Sequence, residues 1–396
     1  MSVVAAGVRA EKGSPPRGEV ASISAAAGAR RDDPVKGLLR AAHEHGLRFK
    51  LDAAVYDQSA SETLSGPPNL ATMAWQFSGS WRLLNRSRWG SGALGWTLLG
   101  SQDLGDGSQE ETMSQDVGSI SGLNANMVQN ATAIDELYWR HESANRRWSV
   151  LVGRVDQAAH FDANRVANDG YRQFFAFAFE NNLSIPWPTY GGFGGVLRLD
   201  LGADNYVLGS IAAMNDDPRV PWSAAGHEGW NQIVELGVSH VVQGLGRGHV
   251  RVTAWHNRIP GADGFGVGVN LDQELADGSM LSARDDRRSS TRQLIGFFRA
   301  GVGQRDVTPV QAFASGGVAL DGPFGRARDR MAIGVAWSDP SPGAGERDET
   351  LIEAYYRLAL SPILSLTGDV QFVVDPALNP AAKNSVVLGL RLHLEL

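Results

Sequence analysis

The chain ends on VVLGLRLHLEL, residues 386–396, in which apolar and polar positions alternate. Leucine occupies every even position from 388 to 396, and the odd positions between them hold Gly389, Arg391, His393 and Glu395. A period of two gives a strand one apolar face and one polar face. A strand of about ten residues with this pattern is typical of a membrane-spanning strand, and it also fits a soluble sandwich. The choice between these two folds decides the function.

The composition excludes membrane helices and is compatible with a membrane barrel. The 396 residues contain no run of about eighteen apolar residues, which a helical span requires. Hydrophobic residues make up 43% and charged residues 20%, and a barrel with an apolar outside and a polar lumen has such an average. The 47 glycines suit tight turns and close strand packing, and the 11 tryptophans suit the headgroup level of a membrane.

Several features exclude other classes of function. The chain has no cysteine, which excludes disulfides, thiolate metal sites and cysteine nucleophiles. The formal net charge of −7 implies no nucleic-acid partner. No G-x-S-x-G motif marks an esterase nucleophile, and the nine histidines are scattered, with His43 and His45 the closest pair. The sequence therefore predicts no enzyme, no cofactor and no metal site.

Arginine strongly outnumbers lysine among the basic residues. The 36 basic residues include only four lysines, Lys12, Lys36, Lys50 and Lys383. One explanation of this excess is a GC-rich genome. The alternative is a lumen lined with guanidinium groups, which keep their charge and present a planar fork of donors.

Residues 1–33 are predicted to be a disordered or misassigned N-terminal tail. They are rich in Ala, Gly, Ser and Pro, and Arg9 and Lys12 interrupt the apolar stretch that a secretory signal needs. A short helix is predicted over about residues 35–45. The barrel domain is predicted to cover residues 34–396.

From residue 47 onward the alternating pattern recurs, and no segment of helical period is long enough to suggest a parallel α/β sheet. The predicted strands are Leu47–Tyr56, Trp75–Leu83, Gly92–Gly100, Ile134–Glu142, Trp148–Val155, Gly194–Leu201, Tyr206–Met214, Ile233–Val242, His249–Trp255, Gln293–Gly301, Phe313–Leu320, Met331–Trp337, Ile352–Leu360, Leu366–Val374 and Val386–Leu396.

The links between these strands alternate in length. The links alternate between tight ones, such as Asn145, Gly202-Ala203 and Ser361-Pro362, and long ones at residues 101–131, 160–193, 216–232 and 338–349. Short turns on one rim and long loops on the other are typical of an up-and-down membrane barrel. The predicted fold is therefore an all-β, transmembrane, antiparallel barrel of about sixteen strands, which encloses an aqueous lumen.

In five of the strands, the charged residues occupy alternate positions and so lie on one face of the strand. This pattern assigns them to the lumen. An arginine that faced lipid at the midplane would cost about 2–4 kcal/mol. The residues that we expect to line the pore or to contact sugar are Arg154, Glu235, Arg251, Trp255, Arg299, Glu353, Tyr355, Arg357, Asp369, Gln371 and Arg391. For each of them, the alternative to a sugar contact is an unspecialised lumen wall held by salt bridges.

The long segment at residues 160–193 is a candidate to fold inward and narrow the lumen, and a surface loop is the alternative. Its polar mixture suits a constriction, because fixed polar and charged groups in a narrow pore create selectivity. The constriction candidates are Phe161, Asp162, Asn164, Arg165 and Asn168.

The chain resembles the carbohydrate-selective porins of the bacterial outer membrane, the OprB type, over residues 37–396. The matching stretches are ETLIEAYYRLAL at 349–360, GDVQFVVDP at 368–376, LGLR at 388–391, GPFGR at 322–326 with Asp329, Tyr138-Trp139, GRVD at 153–156 and FDAN at 161–164. They follow one another in the family's order. The resemblance implies passive diffusion of mono- or disaccharides through a barrel. It also implies contact with outer-membrane lipid and with the barrel-insertion machinery, as a monomer or a homotrimer.

Three hypotheses about function remain open. The first is a sugar-diffusion porin. The second is a non-selective or anion-biased general porin on the same barrel, which the arginine excess suggests. The third is a secreted or periplasmic β-rich binding protein. Reversal potentials and sugar block separate the first two, and resistance to SDS before boiling separates both of them from the third.

Overall fold

A computed structural model describes five ranges of the chain, 42–105, 112–126, 131–214, 229–277 and 292–396. Its strands are β1 (Leu47–Ala60), β2 (Asn69–Ser87), β3 (Gly90–Asp103), β4 (Ala131–Glu142), β5 (Trp148–Val155), β6 (Gly192–Gly202), β7 (Asn205–Ala213), β8 (Trp230–Val242), β9 (Gly246–Ile259), β10 (Ala262–Asp277), β11 (Gln293–Gly303), β12 (Val310–Asp321), β13 (Arg330–Pro340), β14 (Glu349–Ala359), β15 (Leu364–Val374) and β16 (Asn384–Glu395). The links contain two short helices, α1 (Met113–Val117) and α2 (Phe177–Glu180), and a 3₁₀ turn, Pro323–Gly325. Within the described ranges, no helix is long and apolar enough to cross a membrane.

The strands form one closed antiparallel ring. Each strand pairs with its neighbours in sequence, and the ring closes where β16 pairs with β1, from Glu395 opposite Asp52 to Val387 opposite Ala60. A closed ring has no strand edge, so the backbone hydrogen bonds are satisfied within the sheet even where lipid surrounds it. The predicted all-β, up-and-down antiparallel barrel of about sixteen strands is confirmed.

The last strand separates its side chains into two faces, as the alternation predicts. Leu388, Leu390 and Leu392 are 57%, 51% and 45% exposed on the outside of the barrel, whereas Arg391 and His393 are buried inside it. An apolar outside and a polar inside are the pattern of a barrel whose outer wall contacts acyl chains.

One strand, β10, was not predicted from the sequence. This strand alternates glycine with apolar residues, and its glycines face the interior. A Cβ on Gly266 would lie 2.4 Å from the ring of Trp255, and a Cβ on Gly268 would lie 2.8 Å from the side chain of Asn182. Glycine lowers strand propensity, so the pattern did not look like a strand. The interior side chains need the space that these glycines leave.

Most of the links on the two rims of the barrel differ in length. The rim where β16 ends carries tight turns such as residues 203–204, and we call it the short-turn rim. The opposite, long-loop rim carries residues 104–130 and 156–191. The exceptions include a tight turn on the long-loop rim at residues 260–261, and two longer links on the short-turn rim, at residues 322–329 and between residues 277 and 293. The predicted asymmetry therefore holds for most of the links.

The N-terminal predictions fall largely outside the described residues. The tail, residues 1–33, lies outside them, as does the predicted helix up to residue 41. Residues 42–44 are helical, and Gly46 follows them with a φ of +80°. Most of the predicted long link at residues 216–232 is likewise not described.

Adjacent residues on β8 provide a test of the two faces. Val238 is exposed on the outer wall, and Ser239 faces the interior near the short-turn rim. Because the chain has no native cysteine, we expect Val238→Cys to react with a lipid-soluble maleimide and Ser239→Cys with a charged one. Labelling is measured by mass spectrometry on protein in liposomes. Equal labelling of both positions by the charged reagent would contradict the membrane barrel.

Candidate functional site inside the barrel

The link between β5 and β6, residues 156–191, folds into the barrel, and we call it the inward segment. Its side chains pack against the inner face of the wall. Phe174 stacks on Phe179 with ring centroids 4.5 Å apart, and it meets Phe297 of β11 and Tyr355 of β14 edge to face at 5.6 and 5.0 Å. Aromatic pairs of this geometry add to the free energy of apolar burial. Of the two alternatives that the sequence left open, the structure places this segment inside the barrel.

Two buried arginines of the wall hold the inward segment by its backbone. Arg391 of β16 donates to the carbonyl oxygens of Gly170 and Gln173 at 2.7 and 2.9 Å. Arg299 of β11 donates to the carbonyl oxygen of Phe179 at 2.6 Å. Both arginines are fully buried. Hydrogen bonds to a charged group are worth about 1.5–3 kcal/mol each, so these attachments are strong.

Asp162, at the start of the inward segment, makes several polar contacts at once. Its carboxylate forms an ion pair with Arg299 at 2.9 Å and accepts hydrogen bonds from the amide of Asn182 and the side chain of Asn270 at 2.8 and 2.7 Å. Its own amide donates to Glu235 of β8 at 2.8 Å. Burial raises the pKa of Asp162 above its usual range, and the Arg299 guanidinium opposes that shift. This residue ties the segment to β8, β10 and β11 together.

The middle of the inward segment is held by a carboxylate and shaped by asparagines. Glu353 of β14 accepts hydrogen bonds from the backbone amides of Phe175 and Ala176. Asn168 accepts one from the amide of Asn164 at 2.9 Å and donates to a backbone carbonyl further along the segment. Side-chain to backbone bonds of this kind replace the regular pairing that an irregular segment lacks.

A second segment, residues 112–126, also lies inside the barrel, and the sequence reasoning did not predict it. Glu349 of β14 accepts hydrogen bonds from the hydroxyl and the amide of Ser121 at 2.5 and 3.1 Å. Gln371 of β15 donates to the carbonyl oxygen of Leu123 at 3.0 Å. The inward segment is therefore not the only element that fills the lumen.

A capping box begins the helix of this second segment. Thr112 accepts a hydrogen bond from the amide of Gln115, and the Gln115 side chain accepts one from the amide of Thr112 at 2.7 Å. The box begins α1, which Gly118 ends with a φ of +80°. The two segments are joined by a bond from the amide of Phe177 to the carbonyl oxygen of Gly122 at 2.7 Å. They form one inner structure.

Partly exposed charges lie on the side of the inward segment that faces the short-turn rim. Arg172 pairs with Asp52 of β1 at 3.0 Å and with Glu395 of β16 at 2.7 Å. Arg165 pairs with Glu274 of β10 at 3.0 Å. The two arginine side chains are 20% and 28% exposed, in contrast to the buried Arg299 and Arg391. We call the set Arg165, Arg172, Glu274 and Glu395 the exposed charge set.

The wall on β6 and β7 contributes an aromatic residue that the sequence reasoning also left out. The guanidinium of Arg198 lies over the ring of Tyr206 at 4.0 Å from its centroid. The Tyr206 hydroxyl donates to Glu235 at 2.7 Å. Tyr206 is half-buried and contacts the interior apolar cluster around Ile233. The short-turn half of the lumen therefore has an aromatic face as well as charges.

The predicted site residues lie inside the barrel, and most of them are covered. The buried wall candidates are Arg154, Glu235, Arg251, Trp255, Arg299, Glu353, Tyr355, Asp369, Gln371 and Arg391, and the buried constriction candidates are Phe161, Asp162, Asn164 and Asn168. Arg357 and Arg165 are partly exposed. Arg299, Glu353 and Arg391 are covered because they bind the backbone of the inward segment. Sugar contact by any of these residues stays a prediction.

The chain has relatives of similar sequence. The sequence model of one protein family, described as "Carbohydrate-selective porin, OprB family", matches residues 100–396. The porin AaxA of Chlamydia pneumoniae is 33% identical over 76% of this chain and 70% of its own length. An uncharacterised protein of Aquifex aeolicus is 24% identical over 63% of this chain and 65% of its own length. The chain thus spans about two thirds of the length of these relatives.

Solved porin structures share the fold. The high-pH structure of Pseudomonas putida OprB superposes with a TM-score of 0.74 at 15% identity, over 91% of this chain and 97% of that one. A triple mutant of the Rhodopseudomonas blastica porin gives a TM-score of 0.51 at 11% identity, over 88% of this chain and all of that one. At such identities the likeness concerns the fold alone. The family match and the Chlamydia relative show that the chain belongs to the OprB family of carbohydrate-selective porins, and this family together with the sixteen-strand barrel implies the bacterial outer membrane.

Proposed function

We propose that this chain lets small neutral sugars diffuse passively across the outer membrane, through a lumen that the inward segment narrows. A porin of this family is a non-enzymatic channel, so selectivity must arise from what lines the path. The observation that carries the proposal is the exposed charge set, in which Arg165 and Arg172 lie partly exposed beside Glu274 and Glu395.

Paired charges of this kind suit a sugar better than an ion. Arg172 has three carboxylates around it, those of Asp52, Asp169 and Glu395, at 3.0, 2.8 and 2.7 Å. The net charge near this arginine is therefore not positive, which argues against an anion-biased pore. Guanidinium forks and carboxylates supply many donors and acceptors for hydroxyl groups, and Tyr206 offers a ring face.

The buried wall residues act as positioning residues in this proposal. Arg299, Arg391 and Glu353 bind the backbone of the inward segment and thereby fix where Arg165 and Arg172 stand. Fixed groups lose little conformational entropy when a solute binds, so a rigid segment discriminates better than a mobile loop. The selectivity that we propose depends on this support.

The test is single-channel recording in planar bilayers with and without maltose or glucose. We expect Arg172→Gln to weaken sugar block severalfold and to shift ion selectivity toward cations, because it removes a donor fork and a positive charge from among three carboxylates. Arg258→Gln is the matched control, since Arg258 is an exposed arginine at the long-loop end of β9. It should leave both properties unchanged.

Two results would count against the proposal. Equal sugar block in Arg172→Gln and in the original protein would show that Arg172 does not contact the sugar on its way through the pore. A reversal potential that favours anions in the original protein, with no block by any sugar, would support the general porin instead. Liposome swelling with a panel of mono- and disaccharides then measures which sugars pass.

A further inference from the structure

The outer wall of the barrel carries a groove that the channel function does not use. It has a volume of about 570 Å³ and crosses the outward faces of β11 to β15, between Val318, Ile333, Tyr356 and Val370. At its floor, no atom lies within 4 Å of the position where a Cβ on Gly368 would stand. The lining is apolar, and pockets of roughly 300–1,000 Å³ are the size that binds small molecules.

The end of this groove at the short-turn rim is basic. Tyr356 lines the groove, and its hydroxyl donates to Asp329 at 2.6 Å. Arg326, half exposed, pairs with the same carboxylate. Arg328 stands on the same exposed turn, next in sequence to Asp329. This turn thus carries one carboxylate and two arginines, which gives it a net positive charge near the end of the groove.

An exposed aromatic residue lies next to this basic end. Phe324 is 76% exposed, and its ring centroid is 6.0 Å from that of Tyr356. Its φ of +53° is in the left-handed region, which is unfavourable for a residue with a side chain. The turn accepts this strain while it holds an apolar ring outside the barrel. Such a ring is stabilised at the interface between acyl chains and headgroups.

We propose that this groove is a binding site for one anionic glycerophospholipid of the periplasmic leaflet. An acyl chain lies in the groove over Gly368, and the phosphate lies beside Arg326 and Arg328. Short turns of such barrels face the periplasm, so the basic end meets the phospholipid leaflet. The planar guanidinium of arginine binds phosphate well. The groove gives one acyl chain more van der Waals contact than a flat wall does.

Gly368, at the floor of the groove, allows an experiment with a matched control variant. The full-length protein is purified, stripped of lipid in detergent and titrated with phosphatidylglycerol, and bound lipid is counted by native mass spectrometry. Gly368→Leu fills the groove and should weaken binding about tenfold or more, since several methylene contacts are lost. Gly209→Leu is the control, because Gly209 also faces outward with no atom within 4 Å, but on β7, away from the groove. It should bind as the original protein does.

The proposed contact between the lipid headgroup and the arginines is tested separately. Phosphatidylcholine, which has no net charge, should bind less tightly than phosphatidylglycerol, and Arg328→Gln should abolish most of that preference. All variants are checked for heat-modifiable mobility. If Gly368→Leu does not assemble, Ala354→Leu replaces it, because Ala354 lines the same groove on β14. Loss of phosphatidylglycerol binding is expected for this variant too.

Three outcomes would overturn the proposal. Equal binding by Gly368→Leu and Gly209→Leu would mean ordinary, unspecific lipid contact. Lipopolysaccharide binding that is tighter than phosphatidylglycerol binding would place the ligand in the other leaflet. A change of oligomeric state in Gly368→Leu, with lipid binding unaltered, would identify the groove as a contact between copies of this chain.

Discussion

Replacing Arg299 and Arg391 together with glutamine should raise single-channel conductance severalfold and abolish sugar block. The double variant removes the guanidinium bonds to the backbone of the inward segment, and each is worth about 1.5–3 kcal/mol. It also leaves the buried carboxylate of Asp162 without its ion-pair partner, and breaking a buried pair costs about 3–5 kcal/mol. The segment should therefore leave the wall, and the lumen should widen.

The control for this double variant is Arg330→Gln. Arg330 belongs to the wall strand β13, and its guanidinium binds Asp321 of β12 at 2.6 and 3.0 Å. Its loss should leave conductance and sugar block close to those of the original protein. The barrel itself should survive in the double variant, because its strand pairs do not depend on the segment, and unboiled samples should keep their altered mobility in SDS. Unchanged conductance would show that other contacts suffice to hold the segment.

Truncation after Val387 should abolish the folded barrel altogether. The nine residues that it removes carry most of the pairing of β16 with β1 and with β15. Without them, β1 and β15 would expose unpaired backbone groups to lipid, and each such group costs several kcal/mol. We expect only aggregated or degraded protein, with no species that resists SDS before boiling and no channel activity.

Leu390→Val is the control for this truncation. It keeps an apolar, lipid-facing side chain and all the backbone bonds of β16, so assembly should be normal. A truncated protein that still forms SDS-resistant, conducting channels would show that the barrel closes without this strand. The result is independent of what passes through the pore, and it therefore tests the fold and not the proposed selectivity.

Alternation along the chain was sufficient to predict the faces of the strands. At Val234, Glu235 and Leu236, as at Leu390 and Arg391, parity alone placed the apolar side chains outside and the charged ones inside. The reason is local: in an extended chain successive side chains point to opposite sides, whatever lies around it. The prediction failed at β10, where glycines face the interior because Trp255 and Asn182 occupy the space.

The sequence could not show what the inward-facing residues bind. Arg165 and Arg391 look alike in the sequence, yet one is partly exposed on the inward segment and the other is sealed beneath it. Burial of an inward side chain depends on which distant segment covers it, and Gly170 lies 221 positions from Arg391. No pattern of neighbouring residues carries that information.

The sequence by itself determined an antiparallel membrane barrel of about sixteen strands, its two faces and its family, because strand period, turn length and family motifs are properties of neighbouring residues. The tertiary structure alone decided that residues 112–126 and 156–191 fill part of the lumen and that Arg299 and Arg391 hold the second of these segments. It also decided that Arg165 and Arg172 remain partly exposed. These features arise from the closure of the ring, which brings remote strands around one interior and leaves the long links room to enter it.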